Sequence, residues 1–252
     1  MSTVALVAGL PLDESCVDDR EAAIRSGRAG AVLPAPASSE GRQFRRWLVQ
    51  VLVAERLVAA FPAVGAPSLR DVAADQAALL ELGSVAAALL TTSAEARSAF
   101  RSVTSSISVS DAEVAAYHQA NPELFTRAEG RRVRHARLAA PEDAPQWTER
   151  VLRRGELVGP VQDAVFAAEV GTTVGPVRDP LGWHLVEVLA VVPGGAAPLA
   201  EVGERIRSRL LGPARRRAFA TWLDRQRAEH VRLAEGFEHP GDPAQPDNTH
   251  RH

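Results

Sequence analysis

The chain has 252 residues, 46% of them hydrophobic and 24% charged, with a formal net charge of −2. That is ordinary globular composition, enough for one large domain or two modest ones, and the charge balance gives no reason to expect nucleic acid or an anionic membrane as partner. Every basic residue is Arg, and the lone Cys16 leaves no intrachain disulfide framework and reads as an inert thiol.

The N-terminus has a short apolar run with no basic region before it, and acids follow at once. It reads as neither a secretory signal nor a membrane span, and a cytoplasmic protein is expected. "VALVAG" (4–9) reads as a strand closing on Gly9, and the stretch after Asp13 as a short helix ended by Gly27. Residues 30–41 form a Pro/Ser/Gly linker. Residues 42–61 carry the strongest helix signal, with Phe44, Trp47, Leu48, Val51, Leu52, Leu57, Val58 and Phe61 on one wide apolar face and Pro62 as the stop. Ser68 with Asp71 opens another helix, and Ala-rich helical sequence runs with interruptions to about Phe100. Ser110 with Glu113 is a capping box for a helix that ends before Asn121-Pro122; His118 on it reads as a surface residue.

From Arg131 the period becomes two, with Val133, His135 and Arg137 on one face of a strand. Residues 143–155 read as a short helix with a Gly stop and 161–171 as a second. The run from Trp183 onward reads as a mostly buried strand bounded by Asp179-Pro180 and Gly182. His184 stands in it where an apolar residue would pack better; the plainest account is a satisfied core histidine. A hinge-like linker (193–198) precedes a helix at 199–230, kinked near Gly212-Pro213, with Leu210, Leu211, Phe219, Trp222 and Leu223 facing inward. Residues 230–237 read as a last strand. An isolated strand must find a partner for its backbone groups, so residues 4–8 are expected to pair with 231–235. The Pro-rich tail (238–252) carries His239, Asp242, Asp247, His250 and His252, but their spacing matches no metal motif, and no metal site or cofactor is expected.

"SVSDAEVAAYHQANPELF", then "RRVRHARLAA", then "VQDAVFAAEVGTTVGPVRDPLGWHLVEVL" resemble, in that order, a parvulin-type peptidyl-prolyl cis-trans isomerase with its helical lead-in. The plan over about residues 2–237 is similar to the SurA-like chaperone-isomerases. The resemblance implies an α+β protein. A mostly helical chaperone domain would comprise 1–130 and 193–237, with both chain ends paired, and a small shortened parvulin-like α/β domain (131–192) would be inserted in it. It implies two catalytic-position histidines, His135 and His184, facing each other at the floor of a proline pocket. Leu157 and Val161 fall on the pocket's Met and Phe positions, and Phe166 and Trp183 complete the expected peptide-binding set.

Rotating an X-Pro amide means crossing about 18–20 kcal/mol. Parvulins lower that barrier with an apolar pocket and a Cys or Asp beside the twisting carbonyl. Here "RRGELVGPVQDAVF" runs from one predicted helix straight into the next, so the segment carrying that Cys or Asp is deleted; Asp163 and Glu156 read as solvated helix residues. The expected function is a peptide- or protein-binding chaperone-like protein of the parvulin family, catalytically weak or inactive. Its expected partner is an extended or unfolded polypeptide, with no nucleic acid and no membrane. An active isomerase that tolerates the deletion is the first alternative. The second is an accessory or scaffold protein for one dedicated partner enzyme or precursor peptide.

Overall fold

The computed structural model describes residues 2–28, 30–157 and 159–239. The chain is α+β and divides into two compact units, one made of the residues up to Val109 together with those from Ser208 on, the other of Ser110–Arg207. The second unit is therefore wider than the predicted insertion at 131–192, taking in the capped helix before it and the linker after it. Of the tail, His239 is described; Asp242, Asp247, His250 and His252 lie outside the described residues.

The first unit opens with a hairpin, β1 (Thr3–Val7) and β2 (Leu10–Asp13). Its two-residue turn, Ala8-Gly9, has positive φ at both positions, 49° and 81°, the geometry whose twist matches that of the flanking strands. Pro11, which has no N–H to donate, hides β2 from a sequence reading. Three helices or helical turns follow: α1 (Glu14–Ser26), α2 (Ser39–Val58) and α3 (Leu69–Val72). After them come α4 (Gln76–Leu80), α5 (Ser84–Thr92) and α6 (Ala94–Val103). Helix α2 starts three residues before the predicted boundary because Ser38 accepts the Gly41 N–H at 3.0 Å.

One face of α2 (Leu48, Val49, Leu52, Val53) packs on Val4, Val7, Leu12 and Val17; Ala54 and Val58 join Leu89, Leu90, Phe100, Phe219 and Leu223 in a second cluster. Phe219 is fully buried, so truncating it to Ala costs about 3–5 kcal/mol.

The second unit begins with α7 (Asp111–Ala120), started by the predicted capping box of Ser110 and Glu113. His118 is not a free surface residue. Its Nε2 lies 2.9 Å from the Ala197 carbonyl and its ring 4.9 Å from that of Phe125. Strand β3 (Thr126–Arg127) is followed by β4 (Gly130–Leu138), β5 (Thr148–Arg153), α8 (Pro160–Ala167), β6 (Thr173–Asp179), β7 (Gly182–Val192) and β8 (Gly195–Ala196). The main sheet has order β5-β4-β7-β6, antiparallel throughout, and β3 pairs with β8. The predicted helix over 143–155 is thus a strand. Its Glu and Arg content suits a helix, but Thr148–Arg153 pairs along β4 from His135 to Gly130, and Leu152 alone of its six residues is fully buried. Helix α8 lays Val161 and Val165 on Val133, Leu152, Val186 and Val188.

Helix α9 (Leu199–His230) runs unbroken through Gly212-Pro213, and β9 (Val231–Leu233) follows it. β9 pairs antiparallel with β1, Ala5 opposite Leu233 and Val7 opposite Val231, so both ends of the described chain meet in the sheet β2-β1-β9. Two buried side chains of α2 fasten what comes next: Arg46 Nε donates to the Gly236 carbonyl at 2.9 Å and Gln50 Nε2 to that of Phe237 at 3.3 Å.

Candidate functional site

Register decides which side chains meet. Along β4 and β7, His135 lies opposite Val186 and Arg137 opposite His184, while β5 sets Thr148 opposite His135 and Arg150 opposite Val133. Side chains alternate between the faces of a sheet. One face therefore carries Val133, His135 and Arg137 from β4, His184, Val186 and Val188 from β7, and Thr148, Arg150 and Leu152 from β5. Helix α8 covers the apolar half of that face. His135, Thr148, Arg137 and Arg150 make up the other half; His135 is half-buried and the remaining three are exposed.

The two histidine rings stack, 5.1 Å between centroids and 11° apart, with His135 Nε2 at 2.9 Å from His184 Nδ1. Behind His184, its Nε2 lies 2.9 Å from Asp179 Oδ1. Asp179 ends β6 at the tight turn into β7, where the same oxygen accepts the Leu181 N–H at 2.7 Å. Burial pushes the Asp179 carboxyl up, but the hydrogen bonds from Leu181 and His184 more than offset this and hold it below the ordinary carboxylate value.

An ionised carboxylate only accepts, so His184 Nε2 carries a proton; in the neutral ring its Nδ1 is then the acceptor and His135 Nε2–H the donor. The network thus assigns one tautomer to each ring and leaves the lone pair of His135 Nδ1 free for an incoming donor. Burial lowers the His135 pKa from its ordinary value; the neighbouring His184 and the charges of Arg150 and Arg137 add to the effect while Asp179 opposes it. His135 is neutral at pH 7.

Against known families, the model of the PPIC-type PPIase domain matches residues 139–204, and a family of unknown function (DUF7158) matches residues 3–40. Residues 139–204 belong to the PPIC-type PPIase domain family. No curated protein sequence matches the chain. Among solved structures, the chain is similar to two from work on the SurA-like chaperones PEB4 and Cj1289 of Campylobacter jejuni. In one the identity is 17% and the TM-score 0.35, over 90% of this chain and 96% of that one; in the other they are 13% and 0.40, over 93% and 100%. It is similar also to the peptidylprolyl isomerase PrsA of Bacillus anthracis, at 13% identity and TM-score 0.25, over 72% of this chain and 96% of that one.

The PPIC-type stretch contains Asp179 and His184 and begins just after β4, which supplies His135. The expected peptide-binding residues do not gather at the histidine pair. Val161 is 1% exposed in the core under α8, so no ligand reaches it; Leu157 is half-buried against the same core. Phe166 is half-buried too, its ring lying under two guanidiniums, Arg154 at 4.4 Å and Arg131 at 5.1 Å. Trp183 is one residue from His184 and so on the opposite face, paired across the strands with Leu138 and Arg178, whose guanidinium stands 5.6 Å from its ring centre. Asp163 and Glu156 are exposed, Asp163 on α8 but Glu156 in the turn after β5 rather than on a helix.

In the sequence Asp179 reads as turn chemistry alone; in the structure it is the carboxylate that completes the pair. The sequence shows a turn Asp five residues before a strand histidine, and the tight hairpin brings the two together. Among the described residues, no helix is long and apolar enough to cross a membrane.

Proposed function

We propose that this protein binds extended or unfolded polypeptide over the open half of the histidine face and accelerates prolyl isomerisation little or not at all. One observation carries the reading. The chain Asp179–His184–His135 is complete and presents a neutral, half-exposed imidazole, yet Val161 is sealed in the core and Trp183 is on the other face of the sheet. A neutral imidazole of fixed tautomer, beside an open strip of strand, suits hydrogen bonding to a passing backbone. Barrier lowering also needs an apolar seat for the proline ring and a polar group at the twisting carbonyl. Neither Val161 nor Trp183 supplies the first.

A protease-coupled isomerisation assay on Ala-Pro and Leu-Pro peptides, run beside binding of a permanently unfolded protein, tests this. Binding without acceleration is the expected result. Acceleration abolished by His135→Ala and by His184→Ala would establish the active isomerase instead, a reading that the intact three-member chain favours.

A further inference from the structure

The arginines of the main sheet are unequally compensated. On the face away from the histidines, Arg134 lies 3.1 Å from Glu187 and Arg132 3.9 Å from Glu149. On the histidine face, Arg137 has no ion-pair partner among the described residues, and Arg150 has only Glu156 at 3.7 Å, both of them nearly half exposed. Asp179, the other carboxylate of this face, is spent on His184 and the Leu181 N–H. Arg137, with no carboxylate partner among the described residues, and Arg150, held by one exposed carboxylate at 3.7 Å, therefore border His135.

The register fixes where those charges stand. Arg137 is two residues along β4 from His135, about 6.6 Å at a strand's rise. Arg150, opposite Val133, is displaced two residues in the other direction and one strand over, a diagonal of about 8 Å. The two guanidiniums bracket the imidazole. An extended peptide that crosses the open half of the face obliquely, from Arg137 over His135 toward Arg150 and clear of α8, brings residues about two places to either side of the one over His135 near the two guanidiniums.

We propose that this pair is a carboxylate-selecting subsite, so that the preferred polypeptide carries Asp or Glu two positions from the residue seated over His135. The inference rests on the peptide-binding reading above and adds to it the chemistry of the ligand. Both arginines are exposed, so each contact is screened and modest, worth up to about fivefold in affinity.

The test uses the full chain and seven-residue peptides with a central Pro and Glu, Gln or Lys two positions to either side, with binding measured by fluorescence anisotropy. At low salt the Glu peptide is expected to bind about two- to twentyfold tighter than the Gln peptide and the Lys peptide weakest, with the preference collapsing at 0.5 M salt. In the double variant Arg137→Gln, Arg150→Gln the Glu-to-Gln affinity ratio falls to near one; a ratio within one variant is insensitive to how much of it is folded. Equal affinities in the unaltered protein, or a ratio the double variant leaves unchanged, would overturn the subsite while leaving peptide binding intact. Failure of all three peptides to bind would remove the peptide-binding reading, and the subsite with it.

Discussion

Replacing His135 and His184 by Ala, singly and together, measures how far the pair acts as one unit. His184 is 3% exposed and makes two hydrogen bonds, so its loss removes both and leaves Asp179 with the Leu181 N–H alone. Losing His135 strips the donor from a buried Nδ1, a penalty of about 1–3 kcal/mol. What the two singles share is the bond between the rings, about 0.5–1.5 kcal/mol, and the stacked contact, about 0.5–1.5 kcal/mol more. The coupling is therefore expected at about 1–3 kcal/mol. Because the chain has two compact units, one global unfolding curve would mix their responses. Native-state hydrogen exchange of the β4 and β7 amides reads the opening of the sheet itself. If the single losses add to the double loss within about 0.5 kcal/mol, the rings are independent core residues and the site as described does not exist.

Acid is expected to loosen the same sheet. The His135 pKa is lowered in the fold from the ordinary 6.5, so the unfolded chain takes up its proton first as pH falls. The contribution is whole above about pH 6.5 and is lost on going below it toward the folded value; sheet-amide urea midpoints followed by NMR should show this slope in the native chain and a smaller one in His135→Phe. Asp179→Ala removes the charge that opposes the lowering, so the His135 titration midpoint, read from ring proton shifts, should move lower still, and an unchanged midpoint would refute the relay. Gly175→Ala places a Cβ about 2.3 Å from the His184 carbonyl at a φ of +111°; a loss of at least about 1–3 kcal/mol in sheet stability is expected, and a neutral substitution would contradict the described approach of β6 to β7.

Much of this architecture is legible in local chemistry. Ser68 with Asp71 and Ser110 with Glu113 form their reciprocal caps as the spacing predicts, and the two-residue period through Val133, His135 and Arg137 matches the observed face. What escapes a sequence reading depends on long-range partners. Thr148–Arg153 has the composition of a helix and is a strand because β4 offers an unpaired edge, a preference that no window of sequence contains. Trp183 is a different kind of miss. Its place next to His184 already puts it on the opposite face of any strand, and period alone excludes it from the histidine site. Asp179 was readable as a turn residue but not as a hydrogen-bond acceptor for His184, since that role depends on how sharply the hairpin closes.

The pairing of β1 with β9 has a consequence for how the molecule is made. Ser110–Arg207 is one uninterrupted stretch and can assemble as soon as it leaves the ribosome. β1 is synthesised well before its second neighbour, β9, which emerges about 10–45 s later at ordinary translation rates. Through that interval the edge of β1 that β9 will take is unoccupied, and the apolar partners that Phe219 and Leu223 supply to α2, α5 and α6 have not yet been translated. Of the two units, the one whose first strand is translated earlier is thus the later to close, and nascent chains stalled before α9 should be the form most exposed to proteolysis and to the cell's own folding helpers.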